Sequence, residues 1–157
     1  MLGHKIFKPA RVVLPMVDPA VDIDQSDVTK YMETFDESHL KFDGEPSRFT
    51  IRQLTEVQKD FLEGLSNTRI RAKQTVAFSL QAVTDYLVVD DGGNQVAPPM
   101  ERRDAHGKLG SMLTDDSMDA LGFSTEVLAA LHVMIMAFSE AKPGPLVSSP
   151  NPSTDGQ

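Results

Sequence analysis

KFDGEPSRFTIRQLT, residues 41–55, decides how this chain is read, because the segments around it have helical spacing or the composition of tails and this one does not. Leu40 and Phe42 alternate with His39 and Lys41, as in a half-buried strand. Asp43, Gly44, Glu45 and Pro46 then make a turn: glycine supplies a positive φ and proline excludes helix. From Arg48 to Leu54 the alternation returns. Phe49, Ile51 and Gln53 fall on one side, and Arg48, Thr50, Arg52 and Leu54 on the other. Turn chemistry and alternation together predict a β-hairpin near 39–54. A lone hairpin is marginal in water, so it must rest on helices or on the sheet edge of another chain.

Upstream, Ser26 is a good N-cap for a short helix, DVTKYMETF, with Val28, Tyr31, Met32 and Phe35 as its apolar stripe. Downstream, Thr55 and Gln58 have the spacing of a capping box. The helix they open runs to Gly64, which permits a left-handed exit, and its expected buried positions are Val57, Phe61, Leu62 and Leu65. Ser66 or Asn67 caps a long helix expected to run to about residue 88, where VVDDGGN (88–94) makes a tight reversal; VAPPMERRD continues as loop. Thr114 caps DDSMDAL, which Gly122 terminates. Ser124 caps TEVLAALHVMIMAFSEA, whose positions 127–138 are nearly all apolar. That helix is expected to be buried on most sides and to centre the core.

Pro9, Pro15 and Pro19 keep residues 1–25 from forming a long helix and predict an extended N-terminal arm. Residues 143–157 are rich in Pro, Ser, Gly and Asn and predict a flexible, disordered tail. The fold class expected is therefore α+β: a mainly α-helical domain over 26–142 with one β-hairpin, an extended arm and a disordered tail.

The chain has 157 residues, enough for one domain with a real core. Its net charge of −8 makes nucleic acid an unfavoured partner, since phosphate contacts need clustered Lys and Arg. His4, Lys5, Lys8 and Arg11 form one local basic spot, which reads as a solvated arm. The absence of cysteine removes disulfides, thiolate metal sites and cysteine nucleophiles. The N-terminus carries charge and proline where a signal peptide would be apolar. No apolar run reaches the roughly 20 residues of a membrane span.

DPAVDIDQSD, 18–27, holds four carboxylates in ten residues. Counted from Asp22, Asp24 and Ser26 alternate and Glu33 falls twelfth, as in a calcium loop. Asp27 stands where the loop needs glycine and Lys30 where it needs a ligand, so an acidic, helix-capping linker is the better reading. His4, His39, His106 and His132 have no zinc spacing among them, and His132 reads as a core or interface histidine. Arg102, Arg103, His106 and Lys108 concentrate charge in one loop, read here as solvated, with Asp104 beside them. No nucleophile elbow, phosphate loop or dinucleotide fingerprint occurs, and neither cofactor nor metal nor catalytic residue is expected.

VTKYMETFDESHLKFDGEPSRFTIRQLT, 28–55, resembles small proteins of tailed bacteriophages, in which a short helix leads to a hairpin of the form kF.dGe.PtrFtIr.L and then to helices. It is similar in style to tail-assembly chaperones and other small morphogenesis or virion proteins, over less than a fifth of the chain. The resemblance implies a non-enzymatic component of head or tail assembly. Such a protein acts in the host cytoplasm or the virion and binds other phage structural proteins or its own copies. It carries over no active-site residue. The expected contact surface is the ribbon, with Phe42, Arg48, Phe49, Ile51 and Arg52 offered to a partner as an edge strand. The arm residues Ile6, Phe7, Val12, Val13 and Leu14 are expected to reach a second neighbour. The alternative is an acidic regulatory or inhibitory protein of a mobile element, covering a basic site on a host factor.

Overall fold

The computed structural model of the chain describes residues 9–140. Phe7, Ile6, the basic residues 4–8 and the expected tail at 143–157 lie outside the described residues. Within them the architecture is α+β, with five α-helices and seven short antiparallel strands. The principal sheet has three strands in the order β1 (Ala10–Val12), β2 (Arg48–Ile51) and β3 (Leu80–Thr84). β2 pairs with β1 through Ala10↔Ile51 and Val12↔Phe49. On its other side it pairs with β3 through Arg48↔Thr84 and Phe49↔Val83, with a bulge between Thr50 and Ile51.

The expected hairpin at 39–54 is therefore not the ribbon that forms. Its second half, β2, is the central strand, with both edges taken. Its first half does not pair with it: 37–39 is a 3-10 turn and Phe42 bridges Val21. The amides of Asp22 and Asp43 donate to the carbonyls of Lys41 and Ala20, so 41–43 lies against 20–22. Asp18 fixes this corner. Its carboxylate accepts from the amides of Ala20 (3.0 Å) and Ser47 (2.8 Å), which consumes one acid of the 18–27 stretch in backbone satisfaction.

The arm, too, folds back onto its own chain. Val12, Val13 and Leu14 are buried in the chain's own core and not held out to a neighbour. The cause is α1 (Val28–Thr34), capped by Asp27 rather than Ser26. Its buried Tyr31 accepts a hydrogen bond from the amide of Val13 at 2.8 Å and ties the strap down.

Helix α2 (Glu56–Glu63) opens on the capping box of Thr55 and Gln58. It is rotated from the expected face: Gln58 and Leu62 are buried, while Val57 and Phe61 are exposed. Gly64 ends it in right-handed geometry, so the left-handed exit does not occur. Arg71 supplies the cap, donating to the carbonyls of Leu62 and Leu65.

Helix α3 (Thr68–Ser79), capped by Asn67, is shorter than expected. The chain leaves the helix at Leu80 because β2 needs a second neighbour. Ser79 engages residue 52 from both sides: its carbonyl accepts from the Arg52 amide (3.1 Å) and its hydroxyl donates to the Arg52 carbonyl (2.6 Å). Beyond β3 come two small hairpins, β4 (Val88–Val89) with β5 (Gln95–Val96), and β6 (Arg102–Asp104) with β7 (Ser111–Leu113). MERRD is thus partly strand and not loop.

Helix α4 (Asp115–Leu121) is capped by Thr114 and leaves through Gly122 at φ 60°. Helix α5 (Thr125–Glu140) packs along α3, and its side chains Leu131, Met134, Ile135 and Phe138 join the single hydrophobic cluster that starts at Val12. The other face of α5 is open, with Ala129 and Val133 exposed, so it is buried on one broad side only. Among the described residues no single helix is long and apolar enough to cross a membrane; α4 and α5 reach that length only together, across a bend of 116°.

Candidate functional site

The residues expected to meet a partner do not form a surface. Phe49 and Ile51 are 3% and 0% exposed, which removes them as contact residues. Their burial follows from β2 being central, with these two side chains on the core face. Phe42 is half-buried under the Arg48 guanidinium, 5.8 Å from its ring centre. Arg48 is itself engaged, making a two-pronged contact with Glu37 (3.0 and 3.1 Å) and a longer one with Glu45 (3.8 Å). The Glu37 carboxylate raises the Arg48 pKa above its ordinary value.

Arg52 and Arg102 lie in one another's field. Burial lowers the pKa of each, and the charge of Arg52 lowers that of Arg102 further. Arg102 is accounted for by structure. Its guanidinium donates to the carbonyls of Leu80 (2.7 Å), Phe78 (2.9 Å) and Ser111 (3.2 Å), capping α3 and clamping β6–β7 onto the α3–β3 junction. It is turned away from Arg103, Asp104, His106 and Lys108, which are exposed, so the basic loop does not converge on an anion site. His132 is half-buried in α5, and its Nδ1 has no hydrogen-bond partner. Burial lowers its pKa, with Arg71 adding to the shift. Among the described residues no group of three or more acidic, histidine or cysteine side chains is placed to hold a metal.

Among the described residues, β4–β5 with the turn between them stands out as an exposed finger. It grows out of β3 through Asp85, which takes left-handed geometry (φ 60°) and whose carbonyl accepts from the Ser47 hydroxyl at 3.0 Å. Tyr86 fixes its root. The ring packs at a tilt on Phe49 (6.1 Å) and edge-on against Phe123 (5.5 Å), and the hydroxyl donates to the Leu121 carbonyl at 2.7 Å. Leu87 and Val89, 58% and 67% exposed, stand on the outgoing arm. The tip is preorganised by Asp90, whose carboxylate oxygen accepts from the amides of Gly92 and Asn94, both at 2.9 Å. Gly93 holds φ 82°, a conformation that favours glycine. Leu87 and Val89 are thus two apolar side chains held in water on a ribbon with a packed root and a hydrogen-bonded tip.

No family model, no curated protein and no solved structure matches this chain.

Two concavities lie along α3. One, of about 370 Å³, lies between α3 and the α4–α5 junction and is lined by Arg69, Ile70, Lys73, Met118, Phe123 and Leu128, with Asp119 bound to Lys73 at 3.6 Å. The next, about 360 Å³, runs between α3 and α5 past Arg71 and His132. A third, on the open face of α5, is almost wholly apolar and is bordered by Met16, Met32, Ala130 and Val133, with Glu126 at its rim.

The sequence signal for the finger is Val88-Val89 and Val96 on either side of Gly92-Gly93, a strand pair around a glycine turn. The turn is visible in the sequence. Its flank reads as helix because α3 carries the helical pattern directly into β3.

Proposed function

We propose that this protein is a non-enzymatic interaction component of phage head or tail assembly, working in the host cytoplasm by protein contacts, and that the contact element is the finger at 87–96. One observation carries the choice of contact element: Leu87 and Val89 are exposed on a two-stranded ribbon whose root is held by Tyr86 and whose strands, among the described residues, pair with each other alone. The assembly role is supported by the resemblance of residues 28–55 to small phage proteins. A free two-stranded ribbon gains stability when another polypeptide covers its apolar side chains or pairs with its open edge. The partner surface on this reading is the finger and not 39–54, where β2 is the central strand of its sheet.

The test is co-purification from cells producing the particle, comparing the wild type with Leu87→Asp plus Val89→Asp. Loss of the partner at unchanged fold stability is the expected result. Equal recovery by both proteins rejects the finger as the contact surface.

A further inference from the structure

We infer that the finger's partner is a second copy of this chain, docked head to tail with the finger in the groove between α3 and the α4–α5 junction. The inference rests on the proposed role of the finger and names its occupant. The chain carries both halves of the contact. The finger presents two apolar side chains, Leu87 and Val89, beside the carboxylates of Asp90 and Asp91, all four exposed. The groove presents the opposite set: Ile70, 48% exposed, and the half-buried Phe123 over a floor of buried Met118 and Leu128, with Arg69 as its open cation and Lys73 engaged by Asp119.

Charge excludes the apolar groove on α5, whereas the concavity past Arg71 and His132 shares Arg69 and Leu128 with the chosen groove and forms one basic side with it. The apolar groove on α5 has Glu126 at its rim, which repels a carboxylate tip. The chosen groove has one acid, Asp119, already engaged with Lys73, and Arg69 forms no ion pair among the described residues. Opposite charges brought together at an interface select the partner and fix the register more than they raise affinity. The contact joins two different patches, so it is heterologous: it closes into a ring or continues as a filament, according to the rotation between copies. Phe123 links the two patches within one chain, lining the groove and packing on Tyr86 at the finger's root.

The experiment is sedimentation velocity on the full chain at physiological ionic strength, from about 1 to 500 µM. Three variants are compared with the wild type: Arg69→Glu, Asp91→Lys, and both together. Asp91 is chosen because Asp90 shapes the tip. The wild type is expected to self-associate with rising concentration, and each single variant to weaken this by about tenfold or more. An equimolar mixture of the two single variants, and the double variant alone, are expected to recover it. Thermal melts that match the wild type show that each variant is folded. A wild type that stays monomeric throughout overturns the inference, as does a mixture that fails to recover. If the wild type is monomeric but Leu87→Asp plus Val89→Asp still loses a co-purifying protein, the finger has a different partner and only this inference falls.

Discussion

The Tyr31 hydroxyl accepts a hydrogen bond from the Val13 amide at 2.8 Å, joining the first helix to the strap that follows β1. Both residues are fully buried, so the amide has no water to turn to. Tyr31→Phe is expected to cost about 1–3 kcal/mol in urea unfolding, since it orphans a buried donor with little change of shape. Burial raises the Tyr31 pKa to about 12, the Val13 amide opposing that shift. The folded chain thus keeps its proton where the unfolded chain has lost it. Stability from this group is full below pH ~10 and falls as pH rises towards 12, by roughly 2–3 kcal/mol in all. Burial raises Tyr86 as well, and these are the chain's two tyrosines. Phenolate absorbance is therefore expected to appear together with unfolding. Ordinary titration near pH ~10 in the folded protein contradicts this.

Arg102 is a structural clamp. Arg102→Met leaves the carbonyls of Leu80, Phe78 and Ser111 without their donor and is expected to destabilise by about 2–4 kcal/mol. Arg102→Lys restores only part, because one ammonium cannot span a fork-shaped set of acceptors. Full restoration by lysine in a denaturant series argues against the clamp.

Gln58 is buried and serves two elements. Its side-chain oxygen accepts from the Thr55 amide (3.0 Å) and its nitrogen donates to the Leu109 carbonyl (2.7 Å). Gln58→Leu is expected to lose about 2–4 kcal/mol despite its added hydrophobicity, because two backbone groups become unsatisfied. An unchanged urea midpoint shows instead that water replaces both contacts.

The exposed side chains of the finger, Leu87 and Val89, lie outside the hydrophobic core. Leu87→Asp plus Val89→Asp is expected to shift global stability by no more than about 0.5 kcal/mol per site, since neither side chain supports the core. Tyr86→Ala, by contrast, removes the root and is expected to cost about 3 kcal/mol or more. Similar melting temperatures for the two show that the root is not anchored.

His132 gives an acid-side signature. Its pKa is lowered by burial and by Arg71, so the unfolded chain takes up the proton first as pH falls. Stability from this group is present above pH ~6.5 and declines below it. His132→Leu is expected to flatten that part of the pH profile while leaving neutral stability equal or higher, because Nδ1 has no partner to lose. A slope retained in His132→Leu assigns it to another group.

The helix starts at Thr55, Thr114 and Ser124 are legible in the sequence because a cap is decided by three or four neighbouring residues, while the start of α3 is open between Ser66 and Asn67 and that of α1 falls one residue after Ser26. The strand at 48–51 is legible too. Its neighbours are not, since β1 and β3 lie about 30–40 residues away on either side and nothing local specifies which edge they take. The same distance hides the end of α3, set by Ser79 and Arg102 meeting residues far along the chain. Val57 and Phe61 mislead because Gln58, a polar residue, holds the inward face of α2. Finding the finger from sequence requires knowing that the helix before it has already stopped.

Ser139, near the end of α5, accepts the Leu54 amide on its hydroxyl, and the Phe138 carbonyl accepts from the Gln53 side chain. The exit of the central strand is thus satisfied by groups some 85 positions later. During synthesis the ribosome must release α5 before that exit is satisfied and the shared core can close. Until then a nascent chain exposes its apolar strands, so a transcript broken before α5 yields an aggregation-prone fragment rather than a smaller working protein.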